Sequence, residues 1–340
     1  NGAMQIAQRS TSETGLGADA TTYPTLDRFK MSSGNTAGRY TMTQSTITDL
    51  EGFSNGLKLQ CTTADTSIAA GELLIVSTKL EGLQVQSLAA TSTSTRAFTV
   101  SFYAKSNANR AISVETSFAD GTNRRAQTLH TIGTSWARYT MTVPAASSTS
   151  LPNDNTQSFG LDLWIHAGSN YTSGTMSSSL AAHDNTNRAV GIGSFFSSTD
   201  NTLELTGFQL EVGSQTTPFE HRSYGEELLL CQRYYYQVTG AGKGRFATGN
   251  FWDENDGDII VPFPVKQRTS HALTTSATSD ILITSVSAEV AATALALDVS
   301  ACLDAACVRI TVGSDIATIG HVSVMILKDS GSYIAFDAEL

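Results

Sequence analysis

At 340 residues and 36.0 kDa, the chain is long enough for two domains of roughly 100–200 residues each, with cores that need neither disulfide nor metal. A net charge of -10, with only 15% charged residues, excludes nucleic-acid binding by phosphate neutralisation, which needs clustered Lys and Arg. A hydrophobic fraction of 40% excludes wholesale disorder, and the lack of any apolar run of about 18 residues excludes membrane insertion by a helix.

The abundance of Ser, Thr, Asn and Gly is the profile of a polar, uncharged, β-rich extracellular surface. The opening lacks the basic and apolar segments of a signal peptide, and a start at Asn1 rather than Met is what is expected if preceding residues were removed or not included. From Tyr23 onward, short alternating runs predict strands at 27–31, 39–45, 57–62, 74–80, 98–105, 111–118, 126–130, 137–143, 159–166, 190–195 and 203–212. In 98–105, Phe98, Val100, Phe102 and Ala104 share one face while Thr99, Ser101, Tyr103 and Lys105 take the other. That is the pattern of an antiparallel strand with one wet side. Turn-forming strings such as Ser32-Ser-Gly-Asn and Asp120-Gly-Thr-Asn punctuate the runs. Many short strands so divided predict a two-sheet sandwich of jelly-roll order and size. Segments 147–157 and 169–188 are polar and read as loops, the second a binding loop or contact arm.

Gly213 and Pro218 stop the run 203–212. Ser223 can then cap a helix starting at about Tyr224, with Glu226 completing a capping box. Leu228, Leu229, Leu230, Cys231, Tyr234 and Tyr235 make this helix apolar nearly all round, which predicts burial between domains or against copies of itself. Beyond it, strands are expected at 259–265, 281–286, 294–299, 308–312, 321–328 and 332–337. Pro262 and Pro264 cannot donate to a ladder, so 259–265 is expected at a sheet edge. The expected layout is all-β: a jelly-roll β-sandwich over 1–222, a connecting helix over 223–236 and a second, β-sandwich-like domain over 237–340.

The string from Gly207 to Tyr235, GFQLEVGSQTTPFEHRSYGEELLLCQRYY, resembles a segment recurrent in tail-fibre and other virion structural proteins of bacteriophages. The opening Asn1-Gly-Ala-Met-Gln-Ile-Ala-Gln-Arg, the triplet Asp27-Arg28-Phe29 and the Phe98-to-Lys105 strand resemble other landmarks of the same domain, together spanning roughly 1–236. Phe29 stands where the usual residue is Trp, and the stretch after Tyr236 matches only loosely. The resemblance implies a carbohydrate-binding-module-like jelly roll on the virion exterior, in a homotrimer whose partners are other virion proteins and a host surface glycan. A capsid-attached fibre or decoration protein with a purely structural role is the alternative, and a glycan-degrading tailspike is a more remote one.

Other motifs are weighed against simpler readings. Gly52-Phe-Ser-Asn-Gly56 matches the serine-hydrolase G-x-S-x-G pattern but leads into an alternating strand rather than a helix, so a hairpin turn is preferred. Asp253-Glu-Asn-Asp-Gly-Asp258 suggests calcium, yet its sixth and twelfth positions are Asp258 and Pro264, so an acidic turn is preferred. Gly240, Gly242 and Gly244 with Lys243 lack phosphate-loop spacing, and the pair Arg124-Arg125 reads as a solvated loop. The scattered histidines show no local ligand pair, which argues against zinc, and His221 reads as a hydrogen-bonded structural residue. Cys302 and Cys307 flank a turn and could bridge, although all four cysteines are read first as buried thiols.

Paired carboxylates would be needed to cleave a glycan, and Asp162 with Glu204 or Asp253 with Asp256 are the candidates weighed. The chain is read as non-enzymatic. Sugar recognition needs aromatic faces beside fixed polar groups, which nominates Tyr171 with Asn170 and Trp252 with Asp253. Leu228, Leu229, Leu230, Tyr234 and Tyr235 are nominated for an oligomer or domain interface, and Trp136 and Trp164 for packing.

Overall fold

A computed structural model describes residues 1–240, 242–284, 289–298, 302–313 and 322–340. The chain divides into two compact units, Asn1–Glu227 with Leu340, and Leu228–Glu339. The expected ends at Val286, Val299 and His321 lie outside the described residues.

The first unit is an antiparallel sandwich. Its six-stranded sheet runs Ser12–Leu16, Arg39–Thr46, Asn55–Thr63, Thr202–Val212, Phe98–Ser106, Ala137–Val143. The seven-stranded sheet runs Ala181–Ala182, Arg124–Ile132, Arg110–Phe118, Gln157–Ala167, Leu73–Glu81, Lys30–Gly34, Ala20–Thr22. The last long strand inserts between Asn55–Thr63 and Phe98–Ser106, the return expected of a jelly roll. Alternation sets the core: Phe98, Val100, Phe102 and Ala104 point inward from one sheet, and Phe159, Leu161, Leu163 and Ile165 from the other. Phe98 meets Phe118 and Phe159 edge-on at 5.8 Å each, and Phe118 meets Phe159 at 5.4 Å, so three rings stitch the sheets together. Such edge-on pairs add about 0.5–1.5 kcal/mol each beyond their burial.

Two expected strands differ. The ladder begins at Lys30 rather than residue 27, because Arg28 adopts φ 72, which an extended chain does not. The run 190–195 forms no strand. Val190 lies in a turn, and Phe195–Ser197 is a 3-10 turn whose two phenylalanines are fully buried. A short apolar run that fills a core from a loop has the same periodicity as a buried strand.

The landmarks that carry the resemblance meet in space. The Asn1 side chain donates to the carbonyls of Ile6 and Asp27, both at 2.8 Å, and the Phe208 N–H donates to the Gly2 carbonyl at 3.0 Å. A Cβ on Gly2 would lie 2.3 Å from the Phe208 carbonyl oxygen, so only glycine fits. Phe29 packs on Phe208 at 5.1 Å, and Phe208 stacks on Phe102 at 5.3 Å. Gly207, at φ 64, marks the bulge that aims Phe208 back at the core.

The second unit corrects the expected sandwich. Gly244–Phe251, Asp256–Pro262, Ala305–Val312, Glu289–Leu297, Ile281–Thr284 and Val322–Leu327 close into a barrel, beside a three-stranded sheet of Tyr235–Thr239, Tyr333–Asp337 and Ala272–Thr275. The expected edge strand is therefore paired on both sides, with Gly244–Phe251 and with Ala305–Val312. Pro262 is compatible with this because it is the strand's last residue. Ile259, Val261, Val308, Ile310 and Met325 fill the barrel.

The helix forms at Tyr224–Gln232, and Ser223 Oγ accepts the Glu226 N–H at 3.3 Å as a cap should. Its expected all-round burial is not found. Glu227 and Cys231, one turn apart, are buried, while Tyr224, Leu229 and Leu230 are 61%, 45% and 41% exposed. Tyr234 and Tyr235 are buried beyond the helix, and Tyr235 opens a strand.

Candidate functional site

Trp252 stands at the tip of the hairpin between Gly244–Phe251 and Asp256–Pro262. Asp253 builds that tip: its Oδ1 accepts the N–H groups of Asn255 at 2.7 Å and Asp256 at 2.8 Å, the self-bonded turn that Asp favours. The Trp252 N–H closes the hairpin on the Asp256 carbonyl at 3.1 Å. The indole remains 44% exposed.

Period-two alternation lays a polar row beside it on the outside of the barrel. Ile259, Val308 and Ile310 point inward, so Asn250, Asp258 and Arg309 are outward neighbours in register. The Arg309 guanidinium lies 5.5 Å from the indole centroid. Asp258 and Asp298 hold it at 3.3 and 3.2 Å. An aromatic ring with fixed carboxylates and the exposed Asn250 amide within its neighbourhood is a surface on which a sugar ring can stack and its hydroxyls find partners.

Tyr171 and Asn170 lie in the other unit, on the one-turn helix Ser169–Thr172. Tyr171 is half-buried and covers Trp164, ring centroids 5.0 Å apart, so its ring is occupied by packing. Asn170 is exposed, and its backbone N–H anchors to the Ala70 carbonyl. Trp164 itself is fully buried, with the Arg188 guanidinium 4.3 Å from its centroid.

Beneath this loop the seven-stranded sheet carries an ionic network that the sequence reading missed, since its members come from five separate segments. Glu115, fully buried, accepts from Arg188 at 2.8 Å, Arg125 at 2.5 Å and Gln127 at 3.0 Å. Asp162 accepts from Lys79 and Ser77, both at 2.6 Å. Burial alone would raise the Asp162 carboxyl, but Lys79, Ser77 and Arg188 outweigh it and hold the pKa below the ordinary carboxylate value. Arg125 is thus a structural ion-pair partner rather than a solvated loop residue.

Of the two carboxylate pairs weighed for glycan cleavage, Asp162 with Glu204 is not assembled, and Asp253 and Asp256 are both engaged by other groups. Asp162 and Glu204 alternate with core residues on opposite sheets and so face away from each other. Asp256 accepts from Thr311 Oγ1 at 2.5 Å while Asp253 is spent in its turn. The calcium motif disperses likewise, with Asp253, Asp256 and Asp258 each facing a different protein partner. Among the described residues, Asp258, Asp298 and Cys307 offer ligand atoms within 4.8 Å of one another. Arg309 already neutralises both acids, and burial together with those carboxylates raises the Cys307 thiol. A hard cation such as calcium prefers oxygen ligands throughout.

Cys302 and Cys307 are free thiols, and Cys302 is exposed, contrary to the reading of all four as buried; Cys61 and Cys231 are buried. His221 is exposed and packs edge-on against Phe219 at 4.8 Å, and no hydrogen bond holds it among the described residues. Ser54 sits in the connection before the strand Asn55–Thr63, as a hairpin turn requires. No helix among the described residues is long and apolar enough to cross a membrane.

No family model and no curated protein matches the sequence. Among solved structures, a CBM4 structure is 12% identical over 61% of this chain and 98% of its own, with a TM-score of 0.29. The family 11 carbohydrate-binding module of cellulosomal cellulase Lic26A-Cel5E of Clostridium thermocellum is 12% identical over 59% and 99%, with a TM-score of 0.29. The CBM22-1-CBM22-2 tandem domain of Paenibacillus barcinonensis Xyn10C is 10% identical over 98% and 92%, with a TM-score of 0.26.

Proposed function

We propose that this chain is a bacteriophage virion surface protein that binds a host glycan through the Trp252 hairpin, without cleaving glycosidic bonds. The observation that carries the reading is an indole left 44% exposed at a hairpin tip beside a guanidinium clamped by two carboxylates. A buried tryptophan would need no further reason, whereas an exposed one fixed among charged groups suits a ligand that is apolar on its C–H face and polar at its rim. The virion setting rests on the resemblance of the Gly207-to-Tyr235 string and its partner landmarks.

The competing structural role, as a fibre or decoration contacting sister chains and other virion proteins, draws on Leu229 and Leu230, which are 45% and 41% exposed. Those two residues are the part of the proposed homotrimer contact that a single chain leaves open.

The test is binding of the soluble chain to an array of host surface glycans. The wild type should bind, and Trp252→Ala should lose at least about tenfold in affinity while its stability stays within about 0.5 kcal/mol, as expected of an exposed site. No binding where intact particles attach would leave the structural role instead. Mass measurement in solution checks the trimer.

A further inference from the structure

One cluster in the sandwich plays no part in the reading above. His166, on the strand Gln157–Ala167, is fully buried, packs edge-on against Phe196 at 5.0 Å and makes two side-chain hydrogen bonds. Its Nε2 lies 2.9 Å from Glu72 Oε2, and its Nδ1 lies 2.9 Å from Ser194 Oγ. A carboxylate accepts only, so Nε2 carries the proton and Nδ1 is left to accept from the serine hydroxyl. Glu72 is held in turn, because its Oε1 accepts the Ala69 N–H at 2.7 Å. Nucleophile, base and orienting acid thus stand in the order that nucleophilic catalysis needs.

The surroundings supply the remaining parts. Ser194 is half-buried, and Gly193 beside it is exposed, with nothing within 4 Å of where a Cβ would stand. The Phe195 N–H, first in the 3-10 turn, has no hydrogen-bond partner among the described residues, and it belongs to the residue after the serine. Arg110 donates through Nη1 to the Ser194 carbonyl at 2.9 Å. It is only 7% exposed, its Nε is unpartnered, and no carboxylate pairs with it among the described residues. A buried guanidinium without a counter-ion is costly, and negative charge developing beside it would relieve that cost. Burial holds the His166 imidazole below its ordinary pKa, against the pull of Glu72 and Asp65, so at neutral pH it is a free base.

We propose that Ser194, His166 and Glu72 form an acyl-ester hydrolase site whose substrate is an O-acylated sugar, with Phe195 N–H and Arg110 stabilising the oxyanion. Ser194 Oγ bonds to the ester carbonyl carbon as its proton passes to His166 Nδ1, and the carbonyl electron pair moves onto oxygen. Collapse breaks the bond to the sugar oxygen, which takes the proton from Nδ1 and leaves as a free hydroxyl. Water then attacks the acyl-serine, giving its proton to Nδ1, and the carboxylic acid departs as that proton returns to Ser194. The sum is ester plus water to alcohol plus acid. Glu72 is a positioning residue, acting through the imidazole.

The choice of an acylated sugar as substrate rests on the proposed glycan binding, whereas the ester chemistry at Ser194 does not depend on Trp252. The full chain is treated with a fluorophosphonate probe and mapped by mass spectrometry, and para-nitrophenyl acetate turnover is followed across pH. An adduct on Ser194 is expected. Turnover should fall at least ~10³-fold in Ser194→Ala and His166→Gln, each checked for native circular dichroism. Wild-type rate should rise with pH through a pKa below the usual imidazole value, and Glu72→Gln should alter that profile. Charged groups facing His166 are Glu72 and Asp65, with Arg110 across Ser194. A folded wild type that takes no adduct at Ser194, or turnover unchanged in Ser194→Ala, overturns the proposal.

Discussion

The sandwich and the barrel treat charge in opposite ways. On the sandwich, Glu115 and Asp162 lie under the 169–193 loop, each saturated by cations and hydrogen-bond donors. On the barrel, Asp258, Asp298 and Arg309 lie on the outer wall beside an exposed indole. Buried charges must be paired to be tolerated at all, so the first group locks a loop down. Solvent-screened charges contribute little to stability, so the second is available to a ligand.

Substitutions can break or sharpen this contrast. The largest effect belongs to the core between the sheets: Phe159→Ala should destabilise the sandwich by about 3–5 kcal/mol, read from denaturant unfolding followed at Trp164. Glu115→Ala takes the nearest carboxylate from Arg125 and Arg188, leaving them only Asp162 at 3.8 and 3.7 Å, and should cost roughly 3 kcal/mol in the same assay. Asp258→Ala on the barrel should cost less than about 1 kcal/mol. Equal costs for these two carboxylates would remove the distinction between locked and open charge.

Acidification should come next in size. His166 has a folded pKa depressed by burial, so the unfolded chain binds its proton more readily. The stability it contributes is complete above the unfolded value of about 6.5 and is lost as pH falls through the folded pKa. Asp162 is depressed as well, so its contribution is present above about 3.9 and is lost below that. Sandwich unfolding midpoints measured from pH 8 to 3 should therefore decline in two stages, and a flat profile above pH 4 would contradict the burial of His166. The smallest change is expected for Arg309→Ala. It should leave stability within about 0.5 kcal/mol while shifting the emission of Trp252.

The strands whose two faces differ in polarity were legible. Residues 137–143 match the observed Ala137–Val143, and 98–105 falls one residue short of Phe98–Ser106. Ser12–Leu16 and Ala20–Thr22 were not, because their residues are nearly all exposed and carry no apolar alternation. Gly244–Phe251 was hidden because it opens among Gly240, Gly242 and Gly244, weighed as a phosphate loop, and Gly249 interrupts its apolar alternation. Trp252 was legible as an aromatic next to an acidic turn, but Arg309, more than fifty residues away, was not. Tyr171 looked exposed from its polar neighbours, and only the position of Trp164 turns it into a lid.

By itself, the sequence determined the all-β character, the turn chemistry and the capped start of the helix at Ser223, because each depends on neighbours in the chain. Tertiary structure alone decided that the second unit closes as a barrel, that the carboxylates at 162 and 204 turn apart, and that Glu72, His166 and Ser194 meet. Those outcomes depend on strand register and on which face each residue presents. Local pattern encodes the alternation, while pairing between distant segments chooses the partner.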